Sequence, residues 1–208
     1  NILPAEELQH MYATPLSHYD GKQWRAGWYM FAMIWGYNKE LFAQAGVPEE
    51  MTPPKTYEQW MEVCQMLKDA GITPIAMGAK DGLLGDWLQA FLMYQNLDGF
   101  EDAIRLSVGD LKWDEPRYYD HWVRLKEMWD KGYINDDVNS LDLYQGIELF
   151  QNGQAAMSPG VGSMVASWTD TVGADKLGIM STPEFGEGQW RGTPVIDVQG
   201  LGVSAQSE

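Results

Sequence analysis

The sequence predicts a mixed α/β layer, with helices on both faces of a largely parallel sheet. Short apolar runs suited to buried strands alternate with capped amphipathic helices, and Gly or Pro marks most of the joints. At 208 residues the chain can bury a sizeable core and suits one or two domains.

Residues 37–77 show the pattern most completely. Asn38 is placed to cap a short helix, and Gly46 to end it in the left-handed conformation. Pro48, Pro53 and Pro54 favour an extended loop. Thr56 with Gln59 reads as a capping box, followed by Trp60, Val63, Cys64 and Leu67 on one apolar stripe. Gly71 stops that helix, and Ile72, Pro74, Ile75 and Met77 begin a buried strand.

Either side of this stretch the elements follow in order. Residues 1–20 read as a helical segment and a loop at Pro15, with His10 and His18 at the surface rather than paired on a metal. Trp24 to Trp35 is an aromatic, apolar strand. Gly78, Gly82 and Gly85 form a loop between the carboxyl end of a strand and a helix, where α/β folds place ligand groups. Asp86 and Trp87 there offer an acceptor beside a stacking surface, or else a helix cap and first-turn packing. Leu88, Phe91, Leu92 and Gln95 follow as core with a polar edge.

Trp122, Leu125 and Trp129 form a helical stripe ended by Gly132, and a helix capped by Ser140 leads through Gly153 into a strand. In the last strand Asp197 and Gln199 interrupt an apolar run, so each needs a partner if buried: a ligand hydroxyl or a neighbouring backbone N–H.

Net charge of −16 and a pI near 4.4 leave no basic stripe for nucleic acid. The single Cys64 lies in an apolar helix stripe and reads as a buried structural thiol. No run approaches membrane-spanning length, and no cofactor or metal motif is present. Ten Trp and ten Tyr are the compositional oddity: core and surface packing accounts for most of them, and a few suit the flat C–H face of a pyranose.

An ordered series of segments carries a family resemblance: DGKQWRAGWYM, YNKELFAQAGV, PPKTYEQWMEVCQMLKDAGITPIAMGAKDG, KEMWDKGYIN, ELFQNGQAAMSPGVGSM and VIDVQGLGVSA. Together they resemble the extracellular solute-binding proteins of ABC sugar importers, in the branch that includes maltose-binding protein. The resemblance implies a periplasmic-binding-protein-like (type II) lobe. It places the end of a first lobe and a crossing strand at 1–31, a second lobe at 32–195, and the return crossing at 196–208.

Ligand contacts implied by the resemblance are Trp28, Tyr29 and Phe31 after the first crossing and Gly162, Ser163 and Met164 at the helix turn, joined by Asp86, Trp87, Asp197 and Gln199. The family has proline where Gly27 stands and a tryptophan near Met164, so both places depart from the pattern. Trp122 and Trp129 are implied to be core. The partners implied are a sugar and an ABC permease, with the protein a monomer outside the cytoplasmic membrane, lipid-anchored or free. The family pattern would place further first-lobe segments outside these residues, and residues 1–208 alone are then expected to bind at least tenfold more weakly than a two-lobed protein, about 1.4 kcal/mol.

Two other classes compete with this reading. A glycoside hydrolase needs a carboxylate pair in one site, and none is assignable, so no enzyme activity is expected. A lectin-like carbohydrate-binding module would be mostly β, against the long helices predicted here.

Overall fold

The computed structural model describes residues 18, 19, 22, 23, 26–202 and 204. The expected helix at the amino end, His10, Pro15 and Trp24 lie outside them. The described chain divides into two compact units. One contains β1 (His18–Tyr19), β2 (Lys22–Gln23), the first half of β3 (Ala26–Asn38) and β7 (Ile196–Leu201). The other is Met33–Val195.

In the first unit β1 and β2 pair antiparallel, as do β3 and β7 from Ala26↔Leu201 to Ala32↔Ile196. The register shifts between Gly27 and Tyr29, so the backbone is irregular there.

The second unit carries α1 (Lys39–Gln44), α2 (Tyr57–Asp69), β4 (Thr73–Ile75), α3 (Leu83–Phe91), α4 (Phe100–Val108), α5 (Pro116–Asp130), α6 (Leu143–Gln151), β5 (Ala155–Val161), α7 (Val165–Val172) and β6 (Leu177–Met180). Its strand order is β4-β5-β3-β6. β4 runs parallel to β5, whereas β3 is antiparallel to both β5 and β6. Three of the four strands thus share a direction, but the sheet is mixed rather than largely parallel in its pairing. The reversal belongs to β3, which enters between strands that all return through helices.

Neighbouring residues of β3 show that both faces are covered, because successive side chains point to opposite sides. Trp35 meets Trp60 of α2 edge-on at 4.8 Å and Phe91 of α3 at 5.5 Å. Gly36 looks the other way: a Cβ there would stand 2.6 Å from the Trp168 ring of α7 and 2.9 Å from Phe150 of α6.

Local signals explain most helix ends. Asn38 Oδ1 accepts from the Glu40 and Leu41 N–H groups, and Thr56 Oγ1 from Gln59 N–H. The expected box at Thr56 closes one residue early, since Gln59 Oε1 accepts from Lys55 N–H. The reciprocal box forms instead between Asp142 and Gln145, so Asp142 and not Ser140 caps α6. A one-turn 3-10 helix, Glu49–Met51, interrupts the loop expected to be extended. The stripe Trp60, Val63, Cys64 and Leu67 is fully buried, and burial pushes the Cys64 thiol pKa well up.

Gln95 is no polar edge but a buried clamp. Its amide nitrogen donates to the Phe91 and Pro183 carbonyls, and its Oε1 accepts from the Phe185 and Gly192 N–H groups. Asn96 Oδ1 takes Glu187 N–H and Asp98 Oδ1 takes Gln189 N–H. The long connection after β6 is therefore pinned to residues 95–98, while Trp190 packs on Met93, Leu97, Leu106 and Tyr118.

The core face of α5 is Tyr118, His121 and Met128. His121 stacks at a tilt on Trp122, and burial lowers its pKa. The folded state therefore holds His121 neutral where the unfolded chain, with an ordinary pKa near 6.5, takes up a proton. Stability is expected to be full above about pH 6.5 and to fall as pH drops toward the lowered folded value. Urea midpoints at pH 7.5 and 5.5 test this for His121→Gln, which should lose the difference due to this group. An unchanged pH dependence in the variant would assign it elsewhere.

Candidate functional site

In the first unit, register brings four of the expected residues onto one face. Tyr29 lies directly across from Gln199 and Phe31 across from Asp197, and directly paired residues share a face of the ribbon. The Tyr29 and Phe31 ring centroids are 5.5 Å apart, with Tyr29 49% exposed. Gln199 Nε2 donates to Asp197 Oδ2 at 2.6 Å, so these polar residues partner each other rather than backbone N–H groups. Two rings thus sit beside a carboxylate and an amide that both keep unused hydrogen-bonding capacity. Trp28 stands at the register shift, and its side chain lies outside the described part of the structure.

In the second unit, β4 and β5 are parallel neighbours, so the segments leaving both emerge at the same, carboxyl, edge of the sheet. That edge is also where β3 begins its pairing, Met33↔Val161. Ligand groups in open α/β sheets gather at such an edge. After β5, Gly162–Met164 makes a single 3-10 turn before α7, with Ser163 exposed and Met164 half-buried. Trp168, the next tryptophan, is core: it is buried edge-on against Phe150 and over Gly36 and Gly160.

After β4 the chain differs from the expectation. The helix begins at Leu83, so Gly85 lies inside α3 rather than in the loop, and Asp86 is the fourth helical residue and not its cap. Gly82 occupies the cap position with φ 76°, a left-handed conformation, and Asp81 Oδ1 accepts from Leu83 N–H. Trp87 is half-buried, 6.4 Å from Phe91, which in turn packs on Trp35. The Asp86 side chain lies outside the described part.

Sequence reasoning missed Asp81 and Asn135, which hold this edge in shape. Asn135 Oδ1 accepts from Met77 N–H at 2.7 Å and its amide donates to Asp137. Asp81, two residues before the helix, was a legible capping signal; Asn135 was not, because its partner is 58 residues away.

The stripe expected to be core on α5 is not. Trp122 is half-buried, Trp129 is 41% exposed, and both line an open cavity between α3 and α5. The two faces of α5 are both apolar, and the one bearing Tyr118 and Met128 reaches the interior. Among the described residues no group of three His, Cys, Asp or Glu is arranged to hold a metal ion, and no helix is long and apolar enough to cross a membrane.

Known proteins share this architecture. A chitin oligosaccharide binding protein superposes with a TM-score of 0.83 at 29% identity, over 98% of this chain and 51% of its own. A sugar transporter protein of Bacillus licheniformis, solved with stachyose, shares the fold at TM-score 0.70 and 22% identity, over 93% of this chain and 51% of its own. The sn-glycerol-3-phosphate-binding periplasmic protein UgpB of Brucella abortus is 27% identical over 142 residues, 63% of this chain and 30% of that protein. The chain thus spans about half the length of the similar structures and less of the curated relative. The family model for bacterial extracellular solute-binding proteins matches residues 5–208. With the type II α/β fold and that match over nearly its whole length, the chain belongs to the bacterial extracellular solute-binding protein family.

Proposed function

We propose that this chain binds an extracellular carbohydrate and hands it unchanged to the membrane permease of an ABC importer, acting outside the cytoplasmic membrane as a monomer. The observation that carries the ligand class is the ribbon face of Tyr29, Phe31, Asp197 and Gln199. Aromatic rings cover the C–H face of a sugar, while a carboxylate and an amide bind its hydroxyls. Family membership and a chitin oligosaccharide binding protein at 29% identity support the same class.

Met33–Val195 then forms most of one lobe, and β3 with β7 carries the two crossings. Trp28, Asp86, Trp87, Gly162, Ser163 and Met164 are proposed as further contacts. The sn-glycerol-3-phosphate of the Brucella relative is the less suitable ligand here, because Asp197 would repel a phosphate and the chain carries −16 net charge.

A thermal-shift panel on the 208-residue chain decides between them, since a ligand that binds only the folded state raises apparent stability. Chito-, manno- and malto-oligosaccharides and sn-glycerol-3-phosphate are its arms. One neutral saccharide should raise Tm, and Tyr29→Ala should weaken its binding at least tenfold, about 1.4 kcal/mol. A shift with sn-glycerol-3-phosphate alone, or a saccharide bound equally well by Tyr29→Ala, counts against the proposal. Release of a smaller sugar in proportion to protein added would make the chain an enzyme instead.

A further inference from the structure

The cavity between α3 and α5 has a volume of about 430 Å³, within the range of small-molecule sites. One wall is Leu84, Gly85 and Leu88 of α3, and the other is Trp122, Leu125 and Trp129 of α5. All six belong to the Met33–Val195 unit, and Trp87 is not among the lining residues.

Gly85 is the informative residue. A glycine inside a helix costs about 1 kcal/mol relative to alanine. At Gly146, inside α6, that cost has a visible cause, because a Cβ would stand 2.3 Å from the Gly78 nitrogen. At Gly85 nothing lies within 4 Å of the Cβ position. No packing among the described residues requires glycine there, and its effect is to leave the cavity open. Opposite it, α5 keeps two indoles on a face that its core does not use, with Trp129 still 41% exposed. Helices that close on each other normally bury such residues.

The lining also selects the ligand. Among the described lining residues, Asn139 and Lys126 are the only side chains with hydrogen-bonding groups beyond the two indole N–H donors. The Lys126 charge is already paired with Asp130 at 2.5 Å. A sugar would leave most of its hydroxyls unpartnered here, and an anion would find no free cation among these residues.

We infer that this cavity, within the Met33–Val195 unit, is a second binding site, for a neutral, mainly apolar small molecule the size of a substituted naphthalene, its lining unlike the polar and aromatic carbohydrate face proposed above. The indoles of Trp122 and Trp129 stack on the ligand, and Leu84 and Leu88 close over it.

The test is a fluorescence titration of the 208-residue chain with the uncharged probe N-phenyl-1-naphthylamine. Saturable enhancement at micromolar probe is expected. Gly85→Leu fills the cavity from a position with free space and should weaken the probe at least tenfold, with the circular dichroism spectrum unchanged. Trp129→Ser, at an exposed site that does not depend on α3, should weaken it at least fivefold. Val108→Ser on α4, 66% exposed and outside the cavity, should leave it unchanged. Absence of saturable binding overturns the inference. So does equal affinity in Trp129→Ser, whatever Gly85→Leu does, or a loss in Val108→Ser, which would place the probe on general apolar surface. A saccharide identified by the panel should not displace the probe, and displacement would merge the two sites and overturn the separate assignment.

Discussion

Gly146→Ala is expected to destabilise the Met33–Val195 unit by about 3 kcal/mol or more, the upper end of what overpacking costs. Helix propensity alone predicts the opposite sign, since alanine for glycine inside a helix ordinarily gains about 1 kcal/mol. Gly146 lies in α6, where a Cβ would stand 2.3 Å from Gly78 N and 2.4 Å from the Met77 carbonyl carbon. Gly78 answers it: a Cβ there would stand 1.8 Å from the Asp142 carbonyl oxygen. Backbone meets backbone at this crossing, so neither side yields by turning a side chain. The segment leaving β4 would have to move, and with it the Met77 N–H held by Asn135. Gly85→Ala is the internal control, with the same propensity gain and no neighbour within 4 Å. Chemical denaturation should show opposite signs for the two substitutions. A stabilising Gly146→Ala would mean the helix and loop are farther apart than described.

Gln95→Leu is expected to cost about 2–6 kcal/mol, because each of two buried polar groups left without a partner costs about 1–3 kcal/mol. Leucine fills a similar volume but strands the Phe185 N–H and the Pro183 carbonyl in the interior. The exposed Gly192 N–H can turn to water and is not counted. Loss of the clamp should also free the connection at residues 184–192, where Glu184 otherwise pairs with both Arg191 and the backbone of α2's first residue, Tyr57. Limited proteolysis should therefore cut within 184–192 faster in the variant. A stability change below about 1 kcal/mol with unchanged proteolysis would show that the bonds to Asn96 and Asp98 suffice without Gln95.

The parts of the fold governed by neighbours along the chain are legible in the sequence itself. Asn38 and Thr56 cap through N–H groups two or three residues on, and the buried stripe of α2 follows from helical period alone. The ordered family segments likewise carry the type II architecture, because so long a series in one order leaves little freedom of fold. For the face proposed to bind ligand, residues 29, 31, 197 and 199 can be named from the sequence. Their meeting on one side of a ribbon comes from β3–β7 register, a pairing across more than 160 positions. Tertiary packing decides the rest. Helical period finds two apolar faces on α5 and cannot rank them, since which one is buried depends on α3 and the 183–192 connection rather than on α5 itself. Gln95 reads as an edge for the same reason: three of its four partners are 88 to 97 residues away, and a polar residue looks exposed until those carbonyl and N–H groups are brought to it.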